Sequence, residues 1–183
     1  MIRTTLYAFG GMLLGLLIHL VVILLLPLLA EDSVVQRIDA LAPAVNTVVQ
    51  IDDPKAGQPN PLRLDPELAY AVCRVDLSKG PGELAGTLPT SFWSVAVYDA
   101  SGTVIYSTTN RDGIGQSLDL GLFDPAQTRL LAEKKIDVGA GLLIVEANTD
   151  DVFVLVRLHP PEEAVRARYE DALRKLQCRT IKI

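Results

Sequence analysis

Hydrophobic and polar positions divide this chain into two stretches of different kind. From Leu6 to Ala30 no position carries Asp, Glu, Lys or Arg, and Leu, Ile, Val, Gly and Ala fill most of them. A helix of about 20 apolar residues crosses the hydrocarbon core of a bilayer, so this run is long enough with some tilt to spare. Beyond Ala30 the apolar positions alternate with polar ones, and the remaining 150 or so residues are about the size of one ordinary domain.

Behind the capping-box pair Ser33 and Gln36, the positions Val34, Val35, Ile38 and Leu41 share one helical face. They predict a short helix to Ala42, stopped by Pro43, whose apolar face rests on the membrane interface or on the domain. The β-branched run Val45 to Ile51 reads as a first strand. Between Asp52 and Pro66, the prolines 54, 59, 61 and 66 with Gly57 and Asn60 predict a loop. Strands follow at Ala69 to Leu77 and, after the turn Lys79 to Gly82, at Glu83 to Leu88. Phe92 to Tyr98 and Thr103 to Thr108 flank Asp99-Ala100-Ser101-Gly102, whose glycine supplies the positive φ of a hairpin turn. Asn110 to Gly113 reads as a turn and Gln116 to Leu120 as a weaker strand. Asp124 and Pro125 are an N-cap and N1 pair for a helix to Lys134. Two strands joined by Asn148 to Asp151 are expected at Leu142 to Ala147 and Val152 to Leu158.

After His159-Pro160-Pro161, a final helix carries the apolar stripe Val165, Tyr169, Ala172 and Leu176, with Glu162/Arg166, Glu170/Arg174 and Asp171/Lys175 as outward i,i+4 pairs. The expected fold is therefore α+β. One N-terminal transmembrane helix precedes a mostly antiparallel β-sheet or sandwich with a packed C-terminal helix. The segments are 1–30 for the anchor, 31–64 for the short helix and Pro-rich connector, and 65–183 for the β-rich domain.

Charge sets where this domain belongs. Arg3 is the one basic residue ahead of the apolar run, so of the 17 Lys and Arg 16 remain to set against 22 Asp and Glu, a balance of −6. Such a surface lacks the Lys and Arg density that phosphate backbones require, which argues against a nucleic-acid partner. Arg3 and the amino terminus precede the run while Glu31 and Asp32 follow it, so the positive-inside rule places the N-terminus in the cytoplasm and the domain outside. A cleaved signal peptide is the rival reading. Its apolar region is usually about 7–15 residues, shorter than this run, and Leu28 stands where a small residue is preferred.

Within the run, Gly11 and Gly15 form a G-x-x-x-G pair that admits a close helix neighbour, though glycine is also simply frequent in membrane helices. His19 in mid-bilayer either meets an intramembrane partner or is a tolerated neutral imidazole. Cys73 and Cys178, 105 positions apart, are paired in an oxidising compartment or stand as two separate thiols.

Candidates for chemistry are few. His159 has no serine nucleophile motif near it. No zinc spacing is present, the acidic pairs 52/53 and 150/151 lack calcium-loop alternation, and Gly139-Ala140-Gly141 runs into a strand, so neither metal nor cofactor is expected. Trp93, Tyr98, Tyr106, Asn110 and Arg111 are the candidate pocket residues, an aromatic wall with one guanidinium suited to a small anion or polar ring. Alternate positions on a buried sheet face would explain the aromatics equally.

The stretches Asp65 to Leu77 and Phe92 to Asp99, together with His19 and Leu26-Pro27 ahead of an acidic stretch, resemble small single-span envelope proteins of alphaproteobacteria that carry a domain of unknown function, the class numbered 1254. The resemblance implies a bacterial inner-membrane protein with a β-rich exported domain, found beside a second small membrane protein, and brings no catalytic residues. Members also occur as a module in larger two-domain proteins.

Three functions follow as expectations. The first is a non-enzymatic, membrane-anchored periplasmic domain that binds another single-span protein through Gly11, Gly15 and His19. The second is a periplasmic receptor for a small ligand. The third is an envelope enzyme with two carboxylates facing across a cleft.

Overall fold

The computed structural model describes residues 2–29, 34–52, 57–111, 116–134 and 141–181, in two compact units, Met1–Ser33 and Val34–Ile183. The first unit is helix α1, Ile2–Leu29. At 1.5 Å per residue its 28 residues extend about 42 Å, more than the roughly 30 Å of bilayer hydrocarbon. Its described side chains are all exposed, because they have no protein core to enter.

In the second unit two sheets lie face to face. Strands β1 (Val48–Ile51), β2 (Ala69–Asp76), β4 (Trp93–Asp99), β5 (Val104–Thr109) and β8 (Asp151–Leu158) form a five-stranded antiparallel sheet in the order β1-β2-β8-β4-β5. The second sheet has four strands in the order β7-β6-β3-β9, where β3 is Gly82–Thr87, β6 Ser117–Phe123, β7 Leu143–Glu146 and β9 Gln177–Thr180. Within this sheet β6 and β7 run parallel, while β3 pairs antiparallel with β6 and β9.

Alternation explains the layers. In β2, Ala69, Ala71, Cys73 and Val75 point inward; opposite them on β8 stand Leu158, Val156, Val154 and Val152, and next on β4 come Trp93, Val95 and Val97. Leu84, Leu118, Leu120, Leu122 and Val145 meet them from the second sheet. Full burial of each Leu contributes about 1.5–3 kcal/mol. The other face of the five-stranded sheet is covered in part too. Helix α2, Val34–Leu41, lays Val35 and Ile38 on Tyr70, Val72 and Phe153, with Ala42 and the loop residues Leu62, Leu64 and Leu68 beside them. Its apolar face therefore rests on the domain, although Leu41 remains exposed. Tyr98 stacks on Phe153 on this same face.

The Pro-rich stretch is tied down rather than slack. Asn60 takes both backbone groups of Leu64 with its side-chain amide, Arg37 donates to the Pro61 carbonyl, and the Asp65 N–H donates to the Tyr70 hydroxyl. Helix α3, Pro125–Lys134, starts on the expected cap: Asp124 and Gln127 exchange side-chain to backbone bonds of 2.7 and 3.0 Å. The hairpin turn is also as expected, with Gly102 at φ 83° and the Asp99 carboxylate accepting from the Ser101 and Thr103 N–H groups.

The strands expected at Leu142 to Ala147 and Val152 to Leu158 both form, as β7 and β8, and they lie in different sheets: β7 pairs with β6 in one while β8 lies between β2 and β4 in the other. The expectations for the final helix are corrected. The final helix is shorter, a 3-10 turn at Glu163–Val165 followed by α4, Arg166–Arg174, after which the chain makes β9. Leu173, off the expected stripe, is its buried anchor, and Leu176 lies beyond its end. Among the described residues, Glu163 pairs with Arg166 across the 3-10 turn and Asp171 with Arg174 in the last helical turn, both at i,i+3. Ser33, Asp112 and Gly113 of the Asn110–Gly113 turn, and Gly139 and Ala140 of Gly139-Ala140-Gly141 lie outside the described residues.

Candidate functional site

The features expected to act lie in three separate places. On α1, Gly11 and Gly15 have open space around them, and Phe9, Met12, Leu13, Gly15, Leu16 and His19 line one concave stretch of about 380 Å³. Gly15 and His19 are four residues apart and so share a face. This surface would let a second helix backbone approach closely and would offer it an imidazole.

Cys73 and Cys178 form a disulfide, with their Cα atoms 6.1 Å apart. Cys73 lies on the inner face of β2 and Cys178 on that of β9, so the bond joins the two sheets across the core. Both cysteines are buried, and the Cys178 strand is held further by β3, its neighbour in the sheet.

The structure does not assemble Trp93, Tyr98, Tyr106, Asn110 and Arg111 into one wall. Trp93 is 1% exposed in the core, whereas Tyr98, five residues along the same strand, points to the opposite face. Tyr106 packs against the inner core, Asn110 bonds through its backbone to the Trp93 carbonyl, and Arg111 is exposed. Alternation along β4 separates these side chains.

Polar clefts occur elsewhere. One of about 400 Å³ is lined by Pro66, Glu67, His159, Pro160, Pro161, Glu162, Glu163 and Arg166. Glu67 comes from the segment before β2 and Glu162 and Glu163 from the segment after β8, so carboxylates from two parts of the chain enter one cleft beside the domain's histidine. The histidine's backbone is fixed, its N–H donating to the Phe92 carbonyl at 2.9 Å and its own carbonyl accepting from the Ser91 hydroxyl. A second cleft, about 210 Å³, lies among Leu41, β1 and the Pro-rich loop, with Gln50, Asp52, Gln58 and Asn60 on its walls. Among the described residues no group of three or more His, Cys, Asp or Glu is arranged to hold a metal ion.

Charges on the four-stranded sheet are coupled. Arg179 on β9 is paired with Glu83, its direct partner on β3, and this bond holds the guanidinium above its usual value. On β6, burial raises the Asp119 carboxyl, and the Glu83 charge adds to the rise while Arg179 opposes it. Asp119 Oδ1 is buried with no hydrogen-bond partner among the described residues. At the end of β2, the Lys79 ammonium and the Ser78 hydroxyl hold the half-buried Asp76 below the usual carboxylate value.

Residues 45–179 match the family described as a protein of unknown function (DUF1254). The chain belongs to the DUF1254 family. The match takes in the disulfide and both sheets, and it begins after α1 and α2. No curated protein matches the chain. Among solved structures it is similar to the VPA0106 protein from Vibrio parahaemolyticus, with a TM-score of 0.57 and 11% identity over 80% of this chain and 34% of that one. An uncharacterised protein from Burkholderia cenocepacia is similar at a TM-score of 0.48 and 15% identity, over 83% of this chain and 44% of that one. The Vibrio likeness shows the fold alone. The chain spans about a third of that protein's structure and less than half of the Burkholderia one.

Proposed function

We propose that this DUF1254 protein is a single-pass protein of the bacterial inner membrane, with its N-terminus in the cytoplasm and its sandwich in the periplasm. In this reading the sandwich acts in envelope assembly by binding a protein partner and performs no catalysis. The observation that carries the reading is α1. Residues Ile2–Leu26 have a mean hydropathy of 2.7 and no buried side chain, so the helix is long and apolar enough to cross a membrane; a signal sequence meets the same criterion. Length favours retention, since a secretory apolar region is usually about 7–15 residues. The disulfide supports an oxidising compartment for the sandwich.

The partner we envisage is another single-span protein that meets Gly11, Gly15 and His19. Small residues permit close backbone approach, and a mid-bilayer imidazole is most stable with a polar group opposite. Extraction of the tagged full-length chain in mild detergent tests this: a second membrane protein should co-purify and be lost with Gly15→Leu. Recovery of the wild-type chain always alone and monomeric would end the reading.

A second reading, a periplasmic small-ligand receptor, is favoured by the cleft of about 400 Å³ beside His159. Metabolites that bind it would raise the melting temperature by mass action. The same cleft keeps the two-carboxylate requirement of an envelope enzyme within reach of Glu67 and Glu162, and loss of a hydrolytic activity on Glu67→Gln would move the reading there.

A further inference from the structure

We propose that the outer face of the five-stranded sheet carries an oxyanion site centred on the Arg157 guanidinium, which takes a carboxylate or phosphate group. This goes beyond the tethering role above and does not depend on it. Four described arginines are half-buried: Arg37, Arg74, Arg157 and Arg166. Three of them have oxygen partners: Arg37 bonds to the Pro61 carbonyl, Arg74 to Asp39, and Arg166 to Glu163 and the Pro66 carbonyl. Arg157 differs. Its Nε–H is buried and meets no acceptor among the described residues.

A buried donor without an acceptor costs about 1–3 kcal/mol, more when the group is charged, so native structures rarely keep one without a use for it. Register supplies the rest of the site. Arg157 on β8 stands directly between Tyr70 on β2 and Ser94 on β4, and Ser94 stands opposite Thr109 on β5. Residues directly opposed have Cβ atoms about 5 Å apart on one face, so Arg157 is flanked in the ladder by two hydroxyl-bearing residues, Tyr70 and Ser94, with Thr109 one strand further on, and by no carboxylate. The next row on that face, Val72, Leu155 and Ala96, is apolar. A polar row on an apolar face strengthens electrostatics there.

The chemistry selects the ligand. A guanidinium has five donors and no acceptor, in a fork that matches two oxygens of a carboxylate or phosphate, and hydroxyls donate to a remaining oxygen. Glu67, Glu162 and Glu163 line the cleft beside His159 with Arg166, and none stands opposite Arg157 in the ladder. The competing explanation is an arginine whose stem merely covers apolar surface.

Full-length protein labelled with nitrogen-15 arginine in detergent micelles distinguishes them. Inorganic phosphate and, separately, succinate are titrated at constant ionic strength against chloride while the arginine Nε–Hε resonances are followed. One resonance, identified by its loss in Arg157→Lys, should shift saturably with a Kd of about 1 mM or tighter. Ser94→Ala should weaken it roughly threefold to tenfold. Saturation with only one probe assigns the site to phosphate or to carboxylate ligands, and with both to oxyanions generally. No saturating shift with either probe, or one unchanged in Ser94→Ala, overturns the proposal. If Arg157→Lys does not fold, the wild-type and Ser94→Ala titrations still decide.

Discussion

Replacing Cys73 and Cys178 together by alanine tests how the two sheets are held. The bond closes a loop of 105 positions that runs from the middle of β2 through β3 to β8 and into β9. In the chain-entropy account a loop of about 100 residues restricts the unfolded chain by as much as about 4.7 kcal/mol, and native disulfides of small domains contribute about 2–5 kcal/mol. Cys73 is 1% and Cys178 8% exposed, so removing their sulfurs also takes packing from the core. A loss of about 3–5 kcal/mol is expected. Against a total of about 7–22 kcal/mol for a domain of this size, that is a large share.

The protein carries its own probe. Its single tryptophan, Trp93, is buried between the same sheets, so urea unfolding followed by tryptophan fluorescence reads the core directly. In thermal melts the midpoint should fall by roughly 6–20 °C. Wild type kept in reductant should behave like the double variant. The reasoning fails if oxidised wild type, reduced wild type and variant share one midpoint, or if unreduced protein from membranes shows two alkylatable thiols.

Other perturbations test single contacts. Asp124→Ala removes the acceptor of the Gln127 N–H at the start of α3 and should cost about 0.5–2 kcal/mol in denaturant unfolding. Gly86→Ala would place a Cβ 2.6 Å from Leu176 Cδ2 and 3.3 Å from Leu176 Cα, and should destabilise by roughly 1–3 kcal/mol, with Leu176→Ala restoring part of the loss. Asp119→Asn should raise stability at neutral pH. The Asp119 carboxyl is raised in the fold by burial and by Glu83, so its ionisation opposes folding; the gain is therefore full above that raised value and disappears as pH falls through it towards 3.8, which urea midpoints at several pH values would show.

Where local chemistry decides structure, the residues announced it. Gly102 between two alternating runs required the hairpin, and Asp124, Pro125 and Gln127 required the start of α3. Partnership was not legible in the same way. Asn148 to Asp151 reads only as joining two strands, and nothing in it says that those strands belong to different sheets, where Leu143–Glu146 pairs with β6 and Asp151–Leu158 with β2 and β4. Strand β9 was hidden by a helical stripe that continues to Leu176, and the disulfide and the β3 ladder hold Gln177–Thr180 extended. The site residues behaved likewise. Trp93 and Tyr98 are close in sequence, but an odd separation along a strand puts them on opposite faces. Arg157 gave no sequence signal, since a polar residue in an alternating strand looks like any solvent-facing position; only the register and the missing acceptor single it out.

The account's central claim is that α1 stays in the membrane and holds the sandwich on the oxidising side. Protease added to intact spheroplasts expressing the full-length chain, followed by non-reducing gels of the membrane fraction, tests it most directly. The account predicts that the chain sediments with membranes at full length, carries the Cys73–Cys178 bond, and loses its sandwich to protease added from outside. A sandwich released without its first 30 or so residues, or one that protease reaches only after the spheroplasts are broken, would contradict it.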